Sequence, residues 1–257
     1  MLTKTNTSWN TNLYEDKHAF VFKYGEDLIS LLNPQAGERI LDLGCGTGHL
    51  THQISLTGAR VTGIDSSAAM IEKASAIFPD IDFRVMSATD FDFDEMFDAV
   101  FSNAVLHWVL DKEKAVDCIT RNLRTGGRLI LEMGGKGNVE EIVVNTRKVL
   151  TRHGYYHNAA RQLWYFPSLG EYTSLLEKKG YRINYASHFD RPTELKDTEN
   201  GIKDWIKMFG SAFFDNIPQE HIEPVLEEIQ EAVRPTNFRN HKWYGNYKRL
   251  RIEAIKQ

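Results

Sequence analysis

A cluster of three glycines directly after a short apolar run constrains this chain more than any other stretch. The run ILDLGCGTGHL spans residues 40–50 and contains Gly44, Gly46 and Gly48. Only glycine enters positive φ without steric cost, and a missing Cβ lets a ligand approach the backbone. We therefore predict a buried strand over residues 39–43, a tight turn at the glycines and a helix over residues 48–56.

Apolar, β-branched segments alternate with helical patterns through the first half of the chain. We predict further strands over residues 60–65, 81–87, 97–103 and 126–133, and helices over residues 68–78 and 111–123. Ser66 and Ser67 are natural N-caps for the first of these helices. This order predicts a doubly wound, mostly parallel α/β sheet, in which ligands bind beyond the carboxyl ends of the strands.

The pattern loosens after residue 135. We predict helices over residues 138–153, 169–180, 199–209 and 218–233, a strand over residues 181–189 and a final edge strand over residues 247–256. The expected organisation is an N-terminal helical lid over residues 1–30 and a nucleotide-binding core over residues 31–135. Residues 136–257 complete a seven-stranded sheet and add a helical cap.

Composition excludes several classes of protein. Residues 1–135 hold 12 basic and 19 acidic side chains, and residues 136–257 hold 19 and 16, so the first half opposes a nucleic-acid surface. Two cysteines, Cys45 and Cys118, provide no disulfide framework, and no Cys/His cluster has metal-ligand spacing. No apolar run approaches the ~18 residues of a membrane span. We expect a cytoplasmic monomer or homodimer with a small-molecule partner, without metal, membrane or nucleic acid.

An acidic residue, Asp65, ends the second predicted strand, 21 positions after Gly44. After a glycine-rich first turn, a carboxylate at this place is typical of a site that binds the ribose hydroxyls of an adenosine. The glycines lack the G-x-G-x-x-G spacing of a dinucleotide site, and Asp42 would repel a pyrophosphate but suits an ammonium group. The residues therefore favour S-adenosylmethionine as the cofactor, with an NAD(P)-linked oxidoreductase as the alternative.

The glycine turn resembles the first motif of the class I S-adenosylmethionine-dependent methyltransferases, and RVTGIDSSAAMIEKA is similar to their second motif. The stretches SWNTNLYEDKHAFVFKYG, FSNAVLHWV, FPSLGEYTSLLEKKGY and IKDWI are most similar to the trans-aconitate methyltransferase branch. The resemblance implies a Rossmann-like methyltransferase fold and methyl transfer to a small molecule, with a carboxylate among the candidate acceptors. Phe209, Phe213 and Phe214 stand near the place where that branch often carries an arginine, so the acceptor stays open.

The resemblance also implies a set of cofactor contacts. Asp65 holds the ribose, Met70 flanks the adenine, and Ser87 stands where the family usually has an aspartate for the adenine amino group. The backbone N–H of Ala88 is a further candidate contact to the ring. The full predicted cofactor set is Tyr14, His18, Asp42, Gly44, Cys45, Gly46, Asp65, Ser66, Met70, Ser87, Ala88 and Asn103.

Two residues are candidate catalytic groups. His107, just beyond the fourth strand, is the best-placed general base for an acceptor that must lose a proton, whereas a carboxylate needs none. Tyr14, with Trp108, would stabilise a sulfonium through cation–π contact. An aromatic loop with one guanidinium suits a small ligand with an anionic end. The predicted acceptor site is His107, Trp108, Tyr155, Tyr156, Arg161, Trp164 and Tyr165.

Plainer explanations compete with these assignments. A helix cap is the plainer alternative for Asp65, although Ser66 already offers one; Cys45 is explained by an incidental small residue, and the ring-bearing residues by packing. The rings of Trp9, Tyr14, His18 and Phe20 motivate the lid. A non-catalytic S-adenosylmethionine-binding protein is the second alternative. An RNA methyltransferase is the weakest, because the basic run at residues 248–251 is interrupted by Leu250.

Overall fold

A computed structural model describes residues 27–257, beginning within a helical segment over residues 27–32. The predicted lid residues Trp9, Tyr14, His18 and Phe20 lie outside the described residues. The lid, and the roles of Tyr14 and His18 in cofactor binding and catalysis, therefore stay predictions.

Eight strands of the described chain form one sheet. They are β1 Arg39–Leu43, β2 Arg60–Asp65, β3 Asp82–Val85, β4 Phe97–Asn103, β5 Leu123–Gly134, β6 Tyr181–Leu195, β7 Phe238–Arg239 and β8 Lys242–Lys256. Their order is β3-β2-β1-β4-β5-β8-β6, and β7 pairs with β8. Strands β1 to β5 pair in parallel, and β8 is antiparallel to β5. The predicted α/β class is confirmed, with the two-residue β7 added to the seven predicted strands.

Helices connect and cover these strands. They are α1 His49–Ser55, α2 Ala68–Ile77, α3 Lys112–Asn122, α4 Glu140–Arg152, α5 Tyr156–Ala159, α6 Leu169–Lys178, α7 Gly201–Phe209 and α8 Gln219–Asn237, with 3-10 turns at Leu106–Trp108 and Ser211–Phe214. Most lie within a few residues of the predicted bounds. The short α5 was not predicted, because its segment reads as an aromatic loop. Of the two serines expected to cap α2, Ser67 is the N-cap and accepts a hydrogen bond from the Met70 N–H at 3.4 Å.

The last strand is not the edge strand that its alternation suggested. β8 lies between β5 and β6, and its residues Leu250, Ile252 and Ala254 are fully buried. The alternating residues Arg249 and Arg251 pair with Glu132 of β5. Alternating apolar residues predict that one face of a strand is buried. They do not indicate whether a neighbouring strand neutralises the charges on the other face.

The described residues form two compact units. One, which we call the sheet unit, comprises residues 27–136, 164–189 and 249–257. The other, the helical unit, comprises residues 137–163 and 190–248 and contains α4, α5, α7 and α8.

Apolar side chains cover both faces of β5 in the sheet unit. Leu129 and Leu131 belong to one buried cluster, whereas Ile130 belongs to another with Ile40 and Phe101 of β1 and β4. A strand that is buried on both faces reads as a continuous apolar run, as LIL at residues 129–131 does. Burial on both faces leaves the strand ends as the place where this sheet meets a ligand.

A capping box fixes the start of α6, directly after the segment 164–167. The Ser168 hydroxyl accepts a hydrogen bond from the Glu171 N–H at 3.3 Å, and the Ser168 N–H donates to Glu171 Oε2 at 2.6 Å. We predict that Ser168→Ala lowers the free energy of unfolding by about 1 kcal/mol, because the Glu171 N–H at the helix end loses its acceptor. Ser168→Thr, which keeps the hydroxyl, is the control in chemical denaturation. Equal losses in both variants would contradict this prediction.

Candidate active site

In the turn after β1, neighbouring atoms leave no space for a Cβ at Gly44. At Gly46 the turn borders open space. Gly44 has φ +79°, and an added Cβ would lie 2.1 Å from Val105 Cγ2. Gly46 has φ +55°, and an added Cβ would meet no described atom within 4 Å. The predicted tight turn is thus present, with open space beside the middle glycine.

The turn packs on Phe83, which sequence reasoning missed. Added Cβ atoms at Gly48 and Gly63 would each lie 2.6 Å from the Phe83 ring. The missing Cβ atoms at the N-cap of α1 and on β2 therefore make room for an aromatic ring from β3. Alternation in the third strand does not indicate which glycines Phe83 meets.

Asp65 ties the end of β2 to the glycine turn. Its Oδ2 accepts a hydrogen bond from the Gly46 N–H at 3.1 Å, and its Oδ1 accepts one from the Ser67 N–H at 2.8 Å. Burial raises the pKa of Asp65, and the backbone hydrogen bonds oppose that shift. The carboxylate is thereby held at the carboxyl end of the sheet, beside the open space at Gly46.

Asp42 is buried beneath the same turn. Its Oδ2 accepts a hydrogen bond from the hydroxyl of Thr51 at 2.7 Å, and Asp42 is only 2% exposed. Burial raises the pKa of Asp42 to about 7, and the Asp65 charge adds to the shift. Thr51 was missed by sequence analysis, because a threonine inside a predicted helix carries no signal of its partner.

The other predicted cofactor residues occupy varied places in the sheet unit. Cys45 is buried, and burial raises the pKa of its thiol, which disfavours the thiolate form. Met70 is buried at the start of α2, where Ser66 precedes the N-cap. Asn103 ends β4, opposite Glu132 of β5.

Ser87 follows β3 in an exposed turn. Its Oγ lies 3.0 Å from Thr89 Oγ1 and accepts a hydrogen bond from the Thr89 N–H at 3.3 Å. The carbonyl of Ser87 accepts a hydrogen bond from the Asp90 N–H. The hydroxyl is thus engaged within its own turn, which leaves the neighbouring Ala88 N–H as the simpler contact for a ligand.

His107 lies in a 3-10 turn that follows β4. Its imidazole is 7% exposed, and its Nδ1 accepts a hydrogen bond from the Gly134 N–H at 3.3 Å. Burial, followed by the charge of Arg249, lowers the pKa of His107 well below its usual value. An Nδ1 that accepts from a backbone N–H carries no proton, so the neutral ring carries its proton on Nε2.

Aromatic rings surround His107 within the sheet unit. The His107 ring centroid lies 5.5 Å from that of Trp108 and 5.8 Å from that of Phe166, and the centroids of Trp108 and Trp164 are 5.6 Å apart. The Tyr165 N–H donates to the His107 carbonyl at 2.8 Å. We call His107, Trp108, Trp164 and Phe166 the ring cluster. Phe166 was not predicted, although it adjoins two predicted residues in the aromatic loop.

A buried carboxylate lies on β5 close to this cluster. Glu132 Oε1 and Oε2 accept hydrogen bonds from Arg249 Nε at 3.2 Å and from Arg251 Nη2 at 2.7 Å. Arg249 is paired in register with Gly134, whose N–H donates to His107. The sequence signal for Glu132 is a single acid within an apolar strand, and it was overlooked.

The remaining predicted acceptor residues lie in the helical unit. Tyr155 Oη is 2.6 Å from His221 Nδ1, and Tyr156 is exposed. The Arg161 guanidinium is paired with Asp215 and donates to the Ala212 carbonyl. The structure brings together His107, Trp108, Trp164 and Tyr165, and it gives Arg161 a carboxylate partner from the protein itself.

Two kinds of feature are absent from residues 27–257. No group of three or more His, Cys, Asp or Glu side chains in this range is arranged to hold a metal ion. Within the same described range, no helix is long and apolar enough to cross a membrane.

Comparison with known proteins gives consistent matches. Residues 41–131 match the family described as "Methyltransferase domain". An uncharacterised methyltransferase of Schizosaccharomyces pombe is 32% identical over 97% of this chain and 98% of its own length. A trans-aconitate 2-methyltransferase of an Enterobacter species is 27% identical, over 87% and 82% of the two chains. A Haemonchus contortus phosphoethanolamine N-methyltransferase 2, in complex with S-adenosylhomocysteine, has a TM-score of 0.60 and 18% identity over 96% of this chain and 56% of its own.

These findings establish S-adenosylmethionine as the cofactor, and the residues after β1 and β2 fit it. Gly46 offers open space in the turn, and Asp65 offers a fixed carboxylate for ribose hydroxyls. Asp42 offers a buried carboxylate for the amino acid ammonium. The individual contacts stay predictions, which the two variants below address.

We predict that Asp65→Asn weakens the binding of S-adenosylhomocysteine by about 10- to 100-fold, because charge-assisted hydrogen bonds of ~1.5–3 kcal/mol are lost. Isothermal titration calorimetry measures this, with Asp80→Asn, an exposed carboxylate beyond α2, as the matched control. An unchanged affinity in a folded Asp65 variant would contradict the ribose assignment.

Asp42→Asn should weaken cofactor binding while stabilising the free protein. The pKa of Asp42 in the folded state, about 7, lies above its ordinary value of 3.8. Ionisation of Asp42 therefore destabilises the folded protein. The free energy of unfolding falls as pH rises from the lower pKa to the higher one, and the full loss is present above the higher pKa. We expect Asp42→Asn to gain roughly 1–4 kcal/mol of unfolding free energy at pH 8 and little at pH 4. Denaturation at both pH values tests this, and a loss of stability at pH 8 would contradict it.

Proposed function

Because the chain belongs to the class I S-adenosylmethionine-dependent methyltransferases, on the branch similar to trans-aconitate methyltransferases, we propose that it methylates a carboxylate oxygen of a small organic acid. The relatives named trans-aconitate 2-methyltransferase support an acid as the acceptor. The methyltransferase class is established, and the acceptor is our proposal.

The observation that carries this proposal is the position of the ring cluster next to the cofactor turn. The Val105 side chain occupies the place of a Cβ at Gly44, and His107 and Trp108 follow two and three residues later. The carboxyl ends of β1 and β4 are neighbours in the sheet, so groups that follow β4 reach what the β1 turn binds. The cluster therefore supplies one wall of an acceptor site.

A small acceptor suits the chemistry of this wall. Four closely spaced rings exclude water from the reacting atoms and contact an apolar body. When bound, the cofactor supplies a methyl group that is already electrophilic. What the protein adds is alignment of the acceptor, and orientation of this kind is worth ~7–11 kcal/mol.

The proposed roles extend to the predicted binding residues. Asp65 and Asp42 hold the ribose and the ammonium of the cofactor, and Met70 flanks the adenine. Trp108 and Trp164 contact the acceptor. Arg161 is a weaker candidate for the acceptor carboxylate than its residue type suggests, because it is already paired with Asp215.

A non-catalytic S-adenosylmethionine-binding protein is the main alternative. It would bind cofactor with the same residues and turn over no acceptor. A screen of small mono-, di- and tricarboxylates against phenols and amines, read as S-adenosylhomocysteine formation, separates the two. Turnover with amines or phenols alone would overturn the carboxylate proposal, and no turnover in any class would favour the binding protein.

For an acceptor found in this screen, we predict that Trp108→Leu lowers kcat/KM by about 10-fold, since an aromatic contact of ~0.5–1.5 kcal/mol is lost along with buried area. Affinity for S-adenosylhomocysteine should stay within about twofold of the wild-type value. Leu110→Ala is the matched control, because Leu110 follows the same turn with a largely exposed side chain. Equal kinetics in the two variants would place the acceptor away from the ring cluster.

A further inference from the structure

We propose that His107 binds the acceptor as a hydrogen-bond donor through Nε2–H and does not act as a general base. The acceptor atom must then reach the enzyme without a proton to lose. The identity of the acceptor rests on the proposed function, whereas the protonation of the ring rests on the geometry of the sheet unit.

The hydrogen bond at Nδ1 determines which nitrogen of the His107 ring carries the proton. A backbone N–H always donates, so the hydrogen bond from Gly134 at 3.3 Å requires a lone pair on Nδ1. Gly134 is the last residue of β5 and is paired in register with Arg249 of β8. The donor is therefore part of the sheet, and the tautomer with the proton on Nε2 is built into the fold.

Neighbouring rings and a backbone hydrogen bond orient the His107 imidazole. Trp108 and Phe166 flank the imidazole, and the His107 carbonyl accepts the Tyr165 N–H. These contacts hold the turn and the ring in one position. The His107 side chain is more than nine-tenths buried, and none of the described residues forms a hydrogen bond with its Nε2. Nε2–H is the remaining polar group of the ring, and a ligand oxygen that reaches it would accept its hydrogen bond.

The charged group that faces His107 is a cation. The guanidinium of Arg249 approaches from β8, held by Glu132 of β5, and the flanking Trp108 and Phe166 side chains carry no charge. His188 of β6 lies beside Gly135, the residue that follows Gly134. A cationic neighbour and burial both oppose a second proton on the ring. His107 thus stays neutral at physiological pH while being too weak a base to remove a proton from a hydroxyl or an ammonium group.

A donor at this place suits a carboxylate acceptor. One carboxylate oxygen accepts from Nε2–H, and a lone pair of the other forms the O–CH₃ bond. The S–CH₃ bond breaks, its electron pair stays on sulfur, and no proton moves. The products are a methyl ester and S-adenosylhomocysteine.

Nuclear magnetic resonance of the histidine rings tests the protonation state without any acceptor. We expect His107, assigned by its loss in His107→Gln, to show the Nε2–H tautomer and no titration from about pH 5.5 to pH 8.5. His157, on the short helix α5, serves as the internal comparison. A proton on Nδ1, or titration of His107 within this range, would overturn the inference.

Kinetics of three variants test the donor role on an acceptor identified in the screen. Glutamine places an N–H near the position of Nε2, asparagine places its amide near Nδ1, and alanine provides neither. We expect kcat/KM to fall about 10- to 100-fold in His107→Ala and His107→Asn, and His107→Gln to recover about tenfold of that loss. If His107→Ala does not fold, the comparison of glutamine with asparagine is sufficient.

A base would give a different result. All three variants would lose equally, and kcat/KM of the wild type would rise with pH through the pKa of His107. That outcome overturns the donor role. A neutral Nε2–H ring combined with turnover of phenols or amines alone would instead overturn the proposed function and leave the ring assignment standing.

Discussion

The close approach of Val105 to Gly44 is the contact on which the arrangement of this site depends. An atom at the Cβ position of Gly44 would lie 2.1 Å from Val105 Cγ2, so the β1 turn and the segment after β4 fit only because that atom is missing. Ala104, at φ +61°, turns the chain so that Val105 reaches this position. His107 then returns to the end of β5. The glycine turn and the proposed wall of the acceptor site are thereby joined through one packing contact.

Burial acts in opposite directions on the two ionisable groups near this contact. It raises the pKa of Asp42 and lowers the pKa of His107, because in both cases it disfavours the charged form. Both side chains are more than nine-tenths buried, yet each keeps one hydrogen bond to the protein. Burial therefore disfavours charge on the two side chains that we propose to meet the ligands, whereas Asp65 is a carboxylate held by backbone N–H groups.

Local features of this fold were predictable from the sequence, and partner choices were not. The strand bounds of β1, β2 and β4 agree with the prediction residue for residue, because apolar runs that end at turn residues are a local signal. The role of Phe83 beneath the glycines and the bond from Thr51 to Asp42 depend on contacts between distant segments. Arg161 illustrates the same limit: a guanidinium in an aromatic loop suggests a ligand, but its carboxylate is Asp215.

The pairing of Glu132 with two arginines of β8 has a consequence for the order in which the sheet is completed. Glu132 is fully buried on β5, whereas its cationic partners arrive more than a hundred residues later in the chain. A buried carboxylate without a cation costs several kcal/mol. During synthesis β1 to β5 precede β8, so the charge of Glu132 is compensated only when β8 inserts between β5 and β6. A strand made late in synthesis therefore supplies the countercharges for a carboxylate on a strand made early.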